Sequence, residues 1–593
     1  MFLSRTLSRF AFVATTRMAF AIACALAASA SAQQETLETI EQIRPYDEAL
    51  ARYTELMKRK PLRHHFAGRE LMALTKKPEA LTILIDDFRK VKDYRDMSRY
   101  HLATLFGTWF DTPDAANQLR QLRTANPKPA DLWLWVQALR VETKHLGAKD
   151  TLAIVTDDKS IHHQAAAFVA LSMRGSDETW DAMFHFATNF PQKDSDRSML
   201  LGAMSGAVLR NKAKVRSERA RAGMTAYINL LAEPVKLDHM MKVQMARHLQ
   251  IALNGPGLLV QPEPWLLLLQ QDAPKKPSGG GNTVTRPRFF GIETEGERFC
   301  YVVDMSDSML QPISPSVKPK GPVTGPKKKP KGELLDESDL PWHQINTRFD
   351  LAREHLKMSL MRLPDDKFFS IVWFGDSSGT LDSCPGLIRA TKANVTRVCK
   401  ELDEIKPGPA QPGASALGSL KGDTNLHGGL RRAFALSGKG FVETDAFIDA
   451  GPLTEGCDTI FLLSDGAPST DDFKVQDKDY GEDEAVTDYE TKAKGVRSPI
   501  MGYNGPYIFG FSIVSDIDRM NTFRRVRIHA IGIGEADESL LRRLANIGQG
   551  QVYMVGKGEQ QQGAGSKGPG GAGGPGGAGG PGGPGGAGGP VRK

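Results

Sequence analysis

At 593 residues the chain is too long for a single hydrophobic core, and roughly 150 residues per domain implies two to four units. Its formal net charge of +7 drops by three, to +4, if Arg5, Arg9 and Arg17 are removed with an N-terminal leader. So mild a balance argues against a strongly basic nucleic-acid binder, and no nucleic-acid partner is expected.

The first 32 residues carry arginines and no acids, then an apolar run from Met18 to Ala28, then Ala30-Ser31-Ala32 before Gln33. That order predicts a secretory signal peptide over 1–32 and an exported chain that is periplasmic, cell-surface or secreted. The apolar run falls short of the ~20 residues of a membrane helix, and no later stretch is long enough, so no stable membrane span is expected in the mature chain. Cys300, Cys384, Cys399 and Cys457 then remain, too few for a disulfide framework in so large a protein and without the CxxC spacing of a zinc site. One or two bridges among three connectivities stay open.

Residues 33–270 read as successive helices. Leu81, Leu84, Ile85 and Phe88 follow the i, i+3, i+4, i+7 pattern, as do Leu132, Trp135, Val136 and Leu139, and Ala165, Phe168 and Val169 begin another such face. Pro78, Pro127, Pro191 and Pro234 fall between segments at loosely similar intervals, which predicts an all-α domain of stacked hairpins resembling HEAT-type repeats, with an irregular bundle as the alternative. His64-His65 and His162-His163 lack the helical spacing of a metal pair and read as hydrogen-bonded or solvated.

Residues 271–288, with prolines and a glycine run, read as a linker. After it the pattern changes to alternating strands and helices. Thr294-Glu295-Gly296 reads as the turn of a hairpin feeding the strand that ends at Asp304. Phe349 to Leu363 is predicted helical, with Leu351, His355, Met358 and Met361 mostly on one face. Phe368 to Phe374 is a near-continuous apolar strand, Val395 to Ile405 an amphipathic helix, His427 to Leu436 a short helix and Thr459 to Leu463 a buried strand. Val526 to Ile533 is another strand, followed by a helix over Asp537 to Ile547 and a last strand over Gln551 to Val555. Continuous apolar strands alternating with helices predict an α/β doubly wound, mainly parallel sheet covered on both faces over 289–556, with insertions at about 311–347 and 471–520. The Gly- and Pro-rich tail over 557–593 predicts disorder.

Hard-oxygen side chains recur where these strands stop. Phe299 to Val303 runs into Asp304-Met305-Ser306-Asp307-Ser308, Asp423-Thr424 precedes a short helix, and Leu462-Leu463 runs into Ser464-Asp465-Gly466. If the two strands are neighbours, Asp304 and Asp465 converge at the strands' C-terminal edge, where open α/β sheets bind ligands. Two carboxylates and three hydroxyls with water suit Mg2+ and leave a coordination position open.

This combination resembles the von Willebrand factor A-type domain with its metal-ion-dependent adhesion site, over less than half of the chain. The resemblance implies Asp304, Ser306 and Ser308 as the first ligand loop, Thr424 as the second and Asp465 as the third, with Asp307, Asp423 and Ser464 modulating the site. It further implies a protein partner that offers an acidic residue to the cation. Family members commonly carry glycine where this chain has Asp307, which asks that aspartate to tolerate a tight, left-handed turn and adds negative charge beside the site. The expectation is therefore an exported binding or adhesion protein and not an enzyme. The alternatives are an A-type domain whose metal site is structural or empty and, with no GxSxG, HExxH or Cys-His pairing to support it, a metal-dependent hydrolase.

Overall fold

The computed structural model describes residues 45–59, 62–232, 235, 237–255, 259–271, 287–319, 337–405, 424–444, 447–468, 471–472 and 511–556. The predicted signal segment, most of the predicted linker, the middle of both insertions and the tail lie outside the described residues, as does Asp423.

The N-terminal region is helical. Its elements are α1 Tyr46–Leu56, α2 Leu62–Leu74, α3 Pro78–Lys90, α4 Met97–Phe106, α5 Pro113–Thr124, α6 Leu132–Glu142, α7 Ala148–Thr156, α8 Ile161–Arg174, α9 Glu178–Thr188, α10 Asp194–Arg210, α11 Glu218–Asn229, α12 His239–Leu253 and α13 Pro262–Gln270. Pro78 is the first residue of α3 rather than a spacer before it, a position where its missing N–H costs nothing. Helices two apart pack side by side, giving one row of α2, α4, α6, α8, α10 and α12 and a second that includes α7, α9, α11 and α13. The apolar stripes read from the sequence face inward: Leu81, Leu84, Leu139, Phe168 and Val169 are all buried.

A seven-stranded mixed sheet follows, mostly parallel. Its strands are β3 Arg298–Asp304, β4 Phe368–Phe374, β5 Ser378–Thr380, β6 Ile388–Arg389, β9 Thr459–Ser464, β10 Arg527–Gly532 and β11 Val552–Met554, and two small hairpins supply β1 Arg288–Phe289 with β2 Ile292–Glu293 and β7 Leu436–Ser437 with β8 Gly440–Phe441. The order is β11-β10-β9-β3-β4-β5, with β5 and β6 antiparallel to β4. From β3 the chain builds outward to β4, then returns to β9 on the other side of β3 and continues to β10 and β11. The direction of winding therefore reverses between β3 and β9, and such a reversal opens a crevice at the strands' C-terminal ends.

Alternation along β3 explains the continuous apolar runs. Phe299, Tyr301 and Val303 join one core, against Phe349 and Leu356 of α14 Arg348–Arg362 and Val398 of α15 Lys392–Glu404. Cys300 and Val302 join the other, against Leu430 of α16 Leu426–Ala435, Ile517 of α18 Phe511–Arg524 and Leu544 of α19 Glu538–Ile547; a short α17, Ala450–Glu455, precedes β9. Each large apolar side chain so buried contributes about 1.5–3 kcal/mol.

Three expectations are corrected. The hairpin before β3 turns at Phe290-Gly291, both with positive φ (46° and 77°), and not at Thr294-Glu295-Gly296. Met361 is exposed, so the inward face of α14 is carried by Leu351, His355 and Met358. The second insertion does not run to 520, because residues 511–524 form α18, whose Ile513 and Ile517 are core. The first insertion is tied at its base, where Ile313 N donates to Asn346 O and Arg348 N to Gln311 O, both at 3.0 Å.

The helical rows pack on the sheet region through α10, which lies against α17 and α18. Gly202 permits that approach, since a Cβ there would sit 1.8 Å from the Phe523 carbonyl oxygen. Arg247 of α12 reaches the N-terminal edge of the sheet, donating from Nη1 to Glu295 O and Thr459 Oγ1 at 3.1 Å each. The helical region therefore touches the edge opposite the reversal point.

Candidate metal centre

β3 pairs in parallel with β9 on one side and β4 on the other, so Val303 lies beside Leu463 and Asp304 beside Phe374. The two carboxylates predicted to converge thus emerge from adjacent strand ends. Ser306 N donates to Asp304 Oδ1 at 2.9 Å, and Ser464 Oγ donates to Asp304 Oδ2 at 2.8 Å. The Ser306 and Ser308 hydroxyls lie 3.0 Å apart, and Ser308 Oγ donates to Asp465 Oδ1 at 2.6 Å. Asp304, Ser306, Ser464 and Asp465 are each at most 1% exposed.

Burial pushes the Asp304 carboxyl up to about 7, and the neighbouring Asp465 carboxylate adds to the rise. The rise reports chiefly the loss of water around this carboxyl, with a second carboxylate beside it as the smaller cause.

Thr424 is brought to the same edge, on the opposite flank of β3. Asn425 N donates to Gly375 O at 2.8 Å, just past the end of β4, and Met305 N donates to Phe374 O at 2.8 Å, so the Thr424 loop adjoins the strand beside Asp304. Asn425 then caps α16, accepting from Gly428 N at 2.7 Å. The helix is anchored from behind by a buried charge cluster: Asp516 of α18 meets His427 Nε2 at 2.9 Å, Arg431 Nη1 at 3.2 Å and Arg519 Nη2 at 2.7 Å. Burial alone would raise the Asp516 carboxyl, but Arg519, His427 and Arg431 outweigh it and hold it well below the usual carboxylate range.

Asp307 behaves differently from the expectation. It opens a short 3-10 helix, Asp307–Leu310, is exposed, and is not among the residues with positive φ. The turn after Ser306 therefore needs no left-handed residue, and Asp307 stands outside the hydrogen-bonded network of the two carboxylates.

One member of the site was not anticipated. Arg348, the first residue of α14, donates from Nη1 to Asp465 Oδ2 at 2.9 Å and is itself buried. It lies more than 40 residues from Asp304 and more than 100 from Asp465 in sequence. Its only local signal is the capping box of Thr347 and Asp350, which marks a helix start and says nothing about what the arginine meets.

The donor set fits a hard cation. All the candidate ligands are oxygens, and the two carboxylates exceed the single guanidinium by one negative charge. Among the described residues no group of three or more His, Cys, Asp or Glu side chains is arranged to hold a metal, so a site here depends on the serine and threonine hydroxyls. Among the described residues Cys300, Cys384, Cys399 and Cys457 are free of disulfides, and His65 Nε2 and His163 Nδ1 are spent on Arg59 O and Asp158. No helix among the described residues is long and apolar enough to cross a membrane. The chain matches no protein-family model, and no curated protein shows significant similarity to it.

Proposed function

We propose that this is a von Willebrand factor A-type protein with a HEAT-like helical region, exported, and that it grips an acidic protein partner through a divalent cation at the C-terminal edge of its sheet. The observation that carries this reading is the convergence of Asp304 and Asp465 on adjacent parallel strands, bridged by the Ser306 and Ser308 hydroxyls. In that role Asp304, Ser306, Ser308 and Thr424 hold Mg2+, or Mn2+ or Ca2+, with Asp465, while Ser464 orients Asp304 from behind and Asp423 adds charge to the second loop. When bound, the cation supplies a positive, partly hydrated centre with room for a carboxylate from another molecule. The buried hydrogen bonds at Asp304 keep the ligand loop in one conformation before any partner arrives, which lowers the ordering cost of binding. The A-type assignment rests on this geometry together with the Asp-x-Ser-x-Ser, Thr and Asp-Gly pattern.

The Arg348–Asp465 ion pair favours a second reading, in which the arginine closes the site and the metal position is structural or vacant in function. The two separate in one experiment. Partner capture from the exported fraction by the full chain, with Mg2+ or with EDTA, is expected to yield a specific protein only with Mg2+ and to fail with Ser306→Ala. Capture that survives both EDTA and Ser306→Ala supports the closed site and rejects cation-mediated adhesion.

A further inference from the structure

Arg348 is held in its place from several sides. Its backbone N–H donates to Gln311 O at 3.0 Å, tying the start of α14 to the residue that follows the 3-10 helix of the ligand loop. Its helix is opened by the reciprocal capping box of Thr347 and Asp350. Its guanidinium lies against Gly534, which follows β10 at φ +61°; a Cβ at Gly534 would stand 2.6 Å from Arg348 Cζ. A glycine with left-handed backbone therefore makes room for the guanidinium beside Asp465.

This placement divides the two oxygens of Asp465. Oδ2 takes the guanidinium at 2.9 Å, whereas Oδ1 faces the ligand loop and takes Ser308 Oγ at 2.6 Å. Charge can then be counted. Ionised Asp304 and Asp465 contribute two negative charges, the hydroxyls contribute none, and Arg348 returns one positive charge. A divalent cation added to that set leaves a surplus of one positive charge, whereas the same set without Arg348 would be neutral. The three charged groups, Asp304, Asp465 and Arg348, are buried, so the surplus is weakly screened by solvent or salt.

We propose that Arg348 is a specificity-determining residue that makes the cation site depend on an anionic ligand: by withdrawing one negative charge from the carboxylate pair, it leaves a divalent cation weakly held until a partner carboxylate joins it. The idea rests on the cation reading above. Its thermodynamic consequence is reciprocal, because whatever factor the anion adds to cation affinity the cation adds to anion affinity. Arg348 thus selects carboxylate-bearing surfaces over neutral hydrogen-bonding ones at the open position.

The test titrates the full chain with MnCl2, by calorimetry and by the electron-spin-resonance signal of free Mn2+, with and without sodium acetate at constant ionic strength. In the wild type, acetate is expected to tighten Mn2+ binding several-fold. Arg348→Gln, which keeps a hydrogen-bond donor for Asp465 but removes the charge, is expected to bind Mn2+ alone about tenfold tighter and to lose the acetate effect. Arg348→Lys keeps the charge and is expected to retain the wild-type order. Circular dichroism checks that each variant folds. Equal or weaker Mn2+ binding by folded Arg348→Gln overturns the proposal, and so does a wild-type affinity indifferent to acetate, which needs no variant. A wild type that binds no Mn2+ under any condition rejects the cation site itself, an outcome distinct from either of these.

Discussion

Strand β9 is closed at both ends by a buried aspartate, and the protein treats the two in opposite ways. At the N-terminal end, Asp458 Oδ2 accepts from the backbone N–H groups of Glu297 and Arg298 at 2.8 and 3.0 Å, its Oδ1 accepts from Thr459 Oγ1 at 2.6 Å, and Arg247 stands 3.6 Å away. At the C-terminal end, Asp465 has Ser308 and Arg348, and it faces a second carboxylate, Asp304, whose proton affinity is raised. The first carboxylate is saturated with donors and ties the helical region to the sheet. The second belongs to a pair with a deficit of positive charge. Residue type and burial are the same at both ends; what differs is the charge balance around each aspartate, and the proposed cation site rests on that difference.

The largest expected effect breaks the saturated end. Asp458→Ala leaves Arg247 buried without its counter-charge and two backbone N–H groups without an acceptor, and is expected to cost about 3–5 kcal/mol in urea unfolding while Mn2+ affinity of the folded fraction stays unchanged. A loss of Mn2+ affinity equal to that of an Asp465 variant would erase the distinction between the two ends.

The next effect sharpens the comparison through pH. His248 of α12, His355 of α14 and His529 of β10 are held below the ordinary imidazole range by burial first, with nearby arginines adding to it, and His355 falls to about 3. Such groups are neutral in the native state and bind protons on unfolding. Their contribution to stability is therefore present above the free imidazole value near pH 6.5 and is lost as pH falls towards the native values. Asp304 has the opposite sign. Its native value near 7 exceeds the free value, so its contribution is fully present at low pH and lost as pH rises through 7. Thermal unfolding without metal is expected to show wild type falling by about 1 kcal/mol per pH unit per histidine below pH 6.5. Asp304→Asn should gain on wild type by about 1–3 kcal/mol between pH 4 and pH 8. A constant difference between the two proteins across that range would mean that the site carboxyl titrates normally.

The smallest effect concerns Asp307. Because it is exposed and apart from the network, Asp307→Gly is expected to change stability by under about 0.5 kcal/mol and Mn2+ affinity by no more than a few-fold. A larger shift in affinity would return Asp307 to the site.

Much of this was legible from local pattern. Buried parallel strands announce themselves as unbroken apolar runs, so Phe368–Phe374 was read to the residue and Thr459–Ser464 to within one. That two such strands each stop at a carboxylate left their adjacency as a condition, and the parallel pairing of β3 with β9 meets it. What escaped was set by long-range contact. The turn at Phe290-Gly291 hid because a phenylalanine with positive φ is rarely chosen on local grounds. Helix α18 was absorbed into an acidic, glycine-containing stretch, although Ile513, Ile517 and Met520 carry its buried face. Arg348 was invisible as a site residue because nothing within its own helix shows that Asp465, 117 positions away, lies against it.

The central claim is that the deficit at the C-terminal edge exists to receive a cation, and thermal unfolding of the full chain with and without Mn2+ at pH 8 tests it most directly. Mn2+ at about one hundred times its dissociation constant should add about 2.7 kcal/mol and raise the wild-type melting temperature by several degrees. Asp304→Asn should melt higher than wild type without metal and gain nothing from Mn2+. An identical Mn2+ response in wild type and Asp304→Asn, or none in the wild type, would contradict the account.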